Sequence, residues 1–275
     1  MDLNARLEEA QRTRNQDWRA LAVRIERAQA GLNRRACEAA RGAVLEVRGG
    51  LAVFAGLGNP LTQALCMGFE GPLSDAELDS VEAHLGRGAG PVQYELCPMA
   101  SPELFAALGA RGYRVQELQL CWQRPLDSAP VLEIPAGLEL RAVTAAEAPS
   151  VQRVLMAGFM DVEPEAVTDA QLRTMPALPP GDRLVVYGAF RGAELIGGAT
   201  LFVEDGVATL AGTAVLPRHR GRGAQGALIR VRLAEAHRRG CTLAATGTAP
   251  GSASQRNMER HGFRVAYPKV VLVKG

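Results

Sequence analysis

The sequence predicts an α/β fold, with two tandem units that are each a mixed, mostly antiparallel sheet flanked by helices. Three features point to it. The runs RLVVYGAF (Arg183 to Phe190), ELIGGATLFV (Glu194 to Val203) and VATLAGTAVL (Val207 to Leu216) are strand-like and joined by tight turns at Arg191-Gly192 and Glu204-Asp205-Gly206, which makes an antiparallel meander. From Gly223 the apolar period becomes helical, and a strand, a helix and a final strand follow. The chain also repeats itself: GARGYRVQELQLCW (Gly109 to Trp122) and ERHGFRVAYPKVVL (Glu259 to Leu272) both set a glycine before an aromatic-Arg-Val and an apolar strand.

The repeat has a constant shift of 150 residues, which pairs Gly112 with Gly262 (262 − 112). It also pairs Val115 with Val265, Leu78 with Leu228, Val81 with Val231, Leu65 with Val215 and Gly71 with Gly221, without gaps. Such a series points to a duplicated unit, although the shared positions are mostly apolar and a common strand-helix rhythm contributes to the match. The segment Arg124 to Glu139 carries Pro125, Pro130 and Pro135, each lacking a backbone donor, and reads as a linker. The division is therefore 1–126, a linker at 127–136, and 137–275.

Element by element, the first unit opens on the charged MDLNARLEEAQRTRNQ, which has no apolar signal core. Gly49 to Phe69 is apolar but broken by glycines, Asn59, Pro60 and Gln63, so it reads as short buried strands and not as a membrane span. In the second unit, Glu139 to Ala142 is a first strand and Ala145 to Phe159 a helix. The loop TMPALPPGD (Thr174 to Asp182), with three prolines, is either a semi-rigid lid over a cleft or a plain connection. After the meander a helix runs to about Arg239, with Ala224, Ala227, Leu228, Val231 and Ala234 on one face. A strand (Cys241 to Thr248), a helix (Ser252 to His261) and a last strand (Phe263 to Val273) complete the unit.

Composition narrows the function classes. Of 275 residues, 47% are hydrophobic and 22% charged, which is the balance of a globular protein. The net charge of +2 gives no general pull toward nucleic acid or a membrane surface. Five cysteines (Cys37, Cys66, Cys97, Cys121, Cys241) are widely spaced, without a CxxC pair; they read as reduced, buried small hydrophobes of a cytoplasmic protein, with no metal site.

The stretch PRHRGRGAQGALIR (Pro217 to Arg230) spells GxGxxG from Gly221 to Gly226. A dinucleotide fold needs an acidic residue about 20 positions on to hold the ribose, and Cys241 to Gly251 has neither Asp nor Glu. Only about fifty residues follow the loop, too few to finish a doubly wound sheet, so NAD does not fit. RNA does not fit either, because the single basic tract lacks the interleaved aromatics on which bases stack. Two readings remain on the residues: a phosphate cradle, or a solvated arginine-rich turn. For the cradle, Gly221 and Gly223 let backbone N–H groups approach a ligand, the helix start adds unpaired donors, and Arg218, Arg220 and Arg222 add charge.

The same residues also spell RxxGxG/A (Arg218, Gly221, Gly223), after an apolar strand and Val215-Leu216-Pro217. Here the chain resembles the GCN5-related N-acetyltransferase (GNAT) family, over Glu139 to Gly275 and most closely over Thr209 to Ile229, down to the Gly262-Phe263 after the last helix. The resemblance implies acetyl-CoA as co-substrate, a primary amine of a small molecule or peptide as acceptor, and direct attack on the thioester. It further implies that backbone groups around Val215 hold the pantetheine arm and that a backbone N–H polarises the thioester carbonyl. The expected cofactor-binding set is Val215, Leu216, Arg218, Arg220, Gly221, Arg222, Gly223, Ala224, Gln225, Gly226 and Asn257. Asn257 reads either as a pantetheine or thiol contact or as a surface helix residue.

The family's usual catalytic groups are missing. Thr209 to Pro217 contains no carboxylate, and Met258 stands where a tyrosine acid is expected. Asp161, Glu163, Glu204, Asp205 and Cys241 read as structural or solvated positions, His219, His237 and His261 as exposed residues in basic contexts, and Tyr187 as facing either the cleft or the other side of its strand, so the catalytic residues are unassigned. In the first unit the 150-residue shift places Gly68, Glu70 and Pro72 where the arginines stand, which predicts a degenerate copy that binds no coenzyme A. A tandem pair imitates a dimer within one chain and points to a monomer. The alternative function is a non-catalytic acyl-CoA-binding or regulatory module.

Overall fold

The computed structural model describes residues 3–87, 90–175 and 178–274, and side chains from residue 16 onward. Its elements, in chain order, are α1 (Leu3–Ala39), β1 (Ala43–Val47), β2 (Gly50–Phe54), β3 (Gln63–Leu65), α2 (Asp75–Gly86), β4 (Val92–Leu96), α3 (Pro102–Ala110) and β5 (Arg114–Pro125). The second unit supplies β6 (Glu139–Ala142), α4 (Ala148–Met160), α5 (Asp169–Thr174), β7 (Leu184–Arg191), β8 (Glu194–Glu204), β9 (Val207–Val215), α6 (Ala224–Arg238), β10 (Leu243–Thr248), α7 (Ala253–Arg260) and β11 (Arg264–Lys274). Local chemistry sets these boundaries. Asp205 and Gly206, with φ of 46° and 71°, make the tight β8–β9 turn. Ser74 caps α2 in a reciprocal box with Glu77, and Thr168 does the same for α5 with Gln171. The long α1 has no counterpart in the sequence-based expectation, because its charges mask the periodicity of its buried Ala22, Ile25, Ala28 and Ala36.

The two predicted sheets join into one of eleven strands, in the order β1-β2-β3-β4-β11-β5-β10-β9-β8-β7-β6. They join by exchange: β11 lies between β4 and β5, and β5 lies between β10 and β11. The last strand of each unit therefore completes the sheet of the other. The antiparallel β5–β11 register is itself symmetric. Lys269 pairs with Gln119, its own equivalent at the 150-residue shift (269 − 119). Arg264 pairs with Gln123 while Arg114 pairs with Val273, and the two bulges fall at Ala266 and Gln116, again 150 apart (266 − 116). An approximate twofold axis thus passes through Lys269 and Gln119.

The shift is not gap-free, contrary to the sequence expectation. Val270 pairs with Leu96, whereas its equivalent Leu120 pairs with Thr248, so β4 and β10 correspond at 152 (248 − 96). The second unit is two residues shorter between the end of β10 and Gly262 (262 − 248 is 14, against 112 − 96, which is 16).

Lys269 is buried at this axis. Its Nζ lies 2.6 Å from Glu95 and 3.0 Å from Glu26 and also donates to Gln29, while Tyr267 donates to Glu26 at 2.7 Å. Burial opposes the Lys269 charge, but Glu26 and Glu95 outweigh it and raise its pKa. Burial raises the pKa of Glu26, aided by the neighbouring Glu95 charge and despite the lysine. Glu26 and Gln29 belong to α1, so this cluster pins the first unit's helix across the exchanged strands.

Candidate active site

A cleft opens where β9 and β10 part. The two strands pair in parallel only over Val207–Thr209 and Leu243–Ala245. Beyond this, β9 bends at a bulge: Ala199 faces Thr213 and Thr200 faces Ala211, leaving Gly212 unpaired at φ 43°. Two cavities of about 630 and 280 Å³ fill the gap and share Phe159, Thr213, Gln225 and Ser254 as lining. Among the described residues, no Asp or Glu lines either one.

At the floor lies Arg232, only 1% exposed and without a carboxylate partner among the described residues. It donates instead to the carbonyls of Leu228 (2.9 Å), Thr200 (3.1 Å) and Ala211 (3.2 Å). Burial pushes its pKa down to about 9. The guanidinium therefore fastens α6 to the bulge of β9.

The larger cavity is headed by the glycine loop. Gly221 and Gly223 have φ of 74° and 81°, the left-handed region that a side chain strains. A Cβ on Gly221 would meet open space, whereas one on Gly223 would lie 2.9 Å from Pro135 of the linker. After Arg220, whose N–H reaches the Pro217 carbonyl, the next backbone N–H with an acceptor among the described residues is that of Ala227. The N–H groups of residues 221–226 are thus free, and α6 has neither a side-chain cap nor an acidic residue in its first turn. The corresponding end of α2 is closed: Ser74 accepts from Glu77 N–H, and Asp75 and Glu77 bring negative charge.

The arginines are arranged differently from one another. Arg218 forms ion pairs with Glu163 and Glu194. Arg220 turns back to Asp161 (2.5 Å) and to the carbonyls of Gly158 (2.7 Å) and Val215 (3.1 Å), tying α4 to β9. Arg222 is exposed. Of the expected set, Val215, Arg220, Gly221, Gly223, Ala224, Gln225, Gly226 and Asn257 line the one cavity, while Leu216, Arg218 and Arg222 do not. Leu216 is buried against Val154, Ala157 and Val167.

Other candidates take structural places. Tyr187 is buried in the core with α6, and burial pushes its pKa up to about 12. Glu204 pairs with Arg183 beside the hairpin turn, and Cys241 is buried. Sequence reasoning missed Arg260 and, on the far wall of the smaller cavity, Ile25, Gln29 and Leu32 of α1. His261, expected to be exposed, also borders the larger cavity; burial, offset in part by the Asn257 carbonyl, lowers its pKa. The proline loop falls partly on residues 176–177, outside the described residues.

Residues 149–263, which supply all the described lining of the larger cavity, match the Acetyltransferase (GNAT) family. This segment, 115 of the 275 residues, matches as a GNAT-family domain. Among solved structures, the chain is similar to a GCN5-related N-acetyltransferase from Kribbella flavida (TM-score 0.65, 19% identity, covering 89% of this chain and 95% of that one). It is also similar to a GCN5-related N-acetyltransferase from Sphaerobacter thermophilus (TM-score 0.57, 17% identity, 85% and 75% covered). A tandem GNAT protein from the clavulanic acid biosynthesis pathway matches at a TM-score of 0.52, with 17% identity over 76% of this chain and 70% of that one. At these identities the likeness is one of fold. No curated protein matches the chain.

Proposed function

We propose that this GNAT-family chain is an acetyl-CoA-dependent N-acetyltransferase whose co-substrate binds along the β9–β10 cleft. The observation that carries this is the run of free N–H groups at residues 221–226, at the head of a 15-residue helix and bordering the larger cavity. Such a helix end favours a pyrophosphate through its donors and its dipole. Gly221, Gly223, Ala224, Gln225 and Gly226 would supply that cradle, Arg222 and Arg260 charge at its edge, and Val215 and Asn257 the walls of the channel for the pantetheine arm. Acetyl-CoA supplies an activated thioester; the chain orients it and excludes water.

Gly212 has no partner in the β8–β9 register and lines the smaller cavity, so its N–H is the group that would polarise the thioester carbonyl. The amine nitrogen attacks the carbonyl carbon, the C–S bond breaks, and sulfur leaves with the electron pair. The ammonium proton passes to water or to the departing thiolate. With no carboxylate in the described lining of the cleft, proximity carries most of the acceleration.

The division at 1–126, 127–136 and 137–275 remains our reading of the units. The first is a degenerate copy, because the side-chain cap and acidic first turn of α2 close the end that α6 leaves open. The absence of carboxylates in the described lining also favours a second reading, a non-catalytic acyl-CoA-binding module. Thiol release separates the two: the enzyme liberates coenzyme A from acetyl-CoA with at least one primary amine, and the module binds acetyl-CoA and liberates none.

A further inference from the structure

A third cavity, of about 200 Å³, lies between α1 and α4 on the face of the sheet opposite α6. It shares Leu32, Ala211 and Gly212 with the smaller cleft cavity and so meets the thioester end of the channel at the β9 bulge. Its walls are apolar: Leu32 and Ala36 from α1, Val151 and Leu155 from α4, Val186 from β7 and Met175 after α5. No charged side chain lines it among the described residues. The polar exception of interest is Asn33 of α1, 6% exposed. Its Nδ2 donates to the Gln29 carbonyl at 2.9 Å, but its Oδ1 is fully buried without a partner. An unpaired buried acceptor is costly unless a ligand satisfies it.

Resting on the acetyltransferase reading, we propose that this cavity is the acceptor site and that it selects a small apolar primary amine, with the Asn33 amide, its Oδ1 unpaired, as the polar group of α1 on its wall. Polycationic acceptors are excluded, because the walls offer no carboxylate to replace the hydration of a second or third ammonium group. Desolvation by the same walls favours the neutral, nucleophilic form of the amine, which accounts for a site without a general base. The first unit then contributes directly to the site. Its α1, held by Lys269 through Glu26 and Gln29, supplies Leu32, Asn33 and Ala36 to the acceptor wall.

The test uses the full chain and two readouts, acetyl-CoA affinity by calorimetry and thiol release with 2-phenylethylamine, butylamine, spermidine and kanamycin. The expected result is turnover of 2-phenylethylamine or butylamine well above that of the two polycations. Ala36→Phe, which fills the cavity, should lower kcat/KM for the apolar amine by about tenfold or more with acetyl-CoA affinity unchanged. Should Ala36→Phe fail to fold, Asn33→Leu provides the second test, raising KM for the amine more than it lowers kcat. Preference for spermidine or kanamycin, or indifference of turnover to both substitutions, overturns the proposal. So does acetyl-CoA binding without turnover of either apolar amine. Failure to bind acetyl-CoA at all would instead remove the acetyltransferase reading itself.

Discussion

Lys269→Met is the sharpest perturbation of the exchanged-strand architecture. The lysine is 3% exposed and its carboxylate partners Glu26 and Glu95 are 0% and 4% exposed, so its removal leaves two buried carboxylates with no cation between them. Breaking a buried pair by deleting one partner costs about 3–5 kcal/mol. At roughly 2–4 °C per kcal/mol for a chain of this size, the melting temperature should fall by on the order of 10 °C. The loss should also depend on pH with a definite sign. Without the lysine, burial and the neighbouring Glu95 charge favour a protonated Glu26 in the folded state. The native state then binds more protons than the unfolded one, and stability falls as pH rises through that window. The assay is urea denaturation of wild type and variant at pH 5 and pH 8, with the larger deficit expected at pH 8. Replacing Glu26 and Glu95 with Gln alongside Lys269→Met should recover much of it. A deficit below about 1 kcal/mol at both pH values, the level of a surface ion pair, would show that the buried lysine does not hold the exchanged strands.

Three further outcomes are expected. Burial lowers the pKa of both His84 and His261, so their contribution to stability is complete above the unfolded histidine pKa and is lost as pH falls through the folded values. Melting temperature should drop from pH 7 toward pH 5, and His84→Gln with His261→Gln should flatten that slope. Trp122 Nε1 donates to Thr248 Oγ1 at 2.8 Å in a buried contact between β5 and β10; Thr248→Val strands the indole N–H and should cost about 1–3 kcal/mol in chemical denaturation. A Cβ at Gly158 would lie 2.7 Å from that of Ala214, so Gly158→Val should push α4 off β9, lowering stability by about 1–3 kcal/mol and weakening acetyl-CoA binding in the same calorimetric titration.

How far the sequence reveals this molecule depends on whether a feature is local. The meander, the helix after Gly223 and the strand Glu139–Ala142 are visible because side-chain period and turn residues report backbone geometry directly, and their expected limits lie within a few residues of those observed. The glycine loop is visible for the same reason. The exchange of β5 and β11 is not, since identical strands would satisfy the same pattern in their own sheets; only the register, centred on Lys269 and Gln119, distinguishes the two. Charge signals are incomplete where partners are remote. Arg218 and Arg220 read as phosphate ligands, yet Glu163, Glu194 and Asp161 engage them from distant segments. The proposed acceptor wall is the least legible, because its α1 residues sit more than 150 positions before the loop and in a stretch whose charges dominate its pattern (Arg218 − Asn33 is 185).

Calorimetric titration of acetyl-CoA into wild type and Gly221→Glu addresses the co-substrate site itself. The substituted position faces open space at φ 74° beside the free N–H groups, so the carboxylate would be set where the pyrophosphate is expected. Wild type should bind saturably with one-to-one stoichiometry, and binding should be lost in a variant whose fold is intact by circular dichroism. Equal binding by both proteins would be incompatible with a co-substrate seated on the glycine loop, and no binding by wild type would be incompatible with acetyltransferase function.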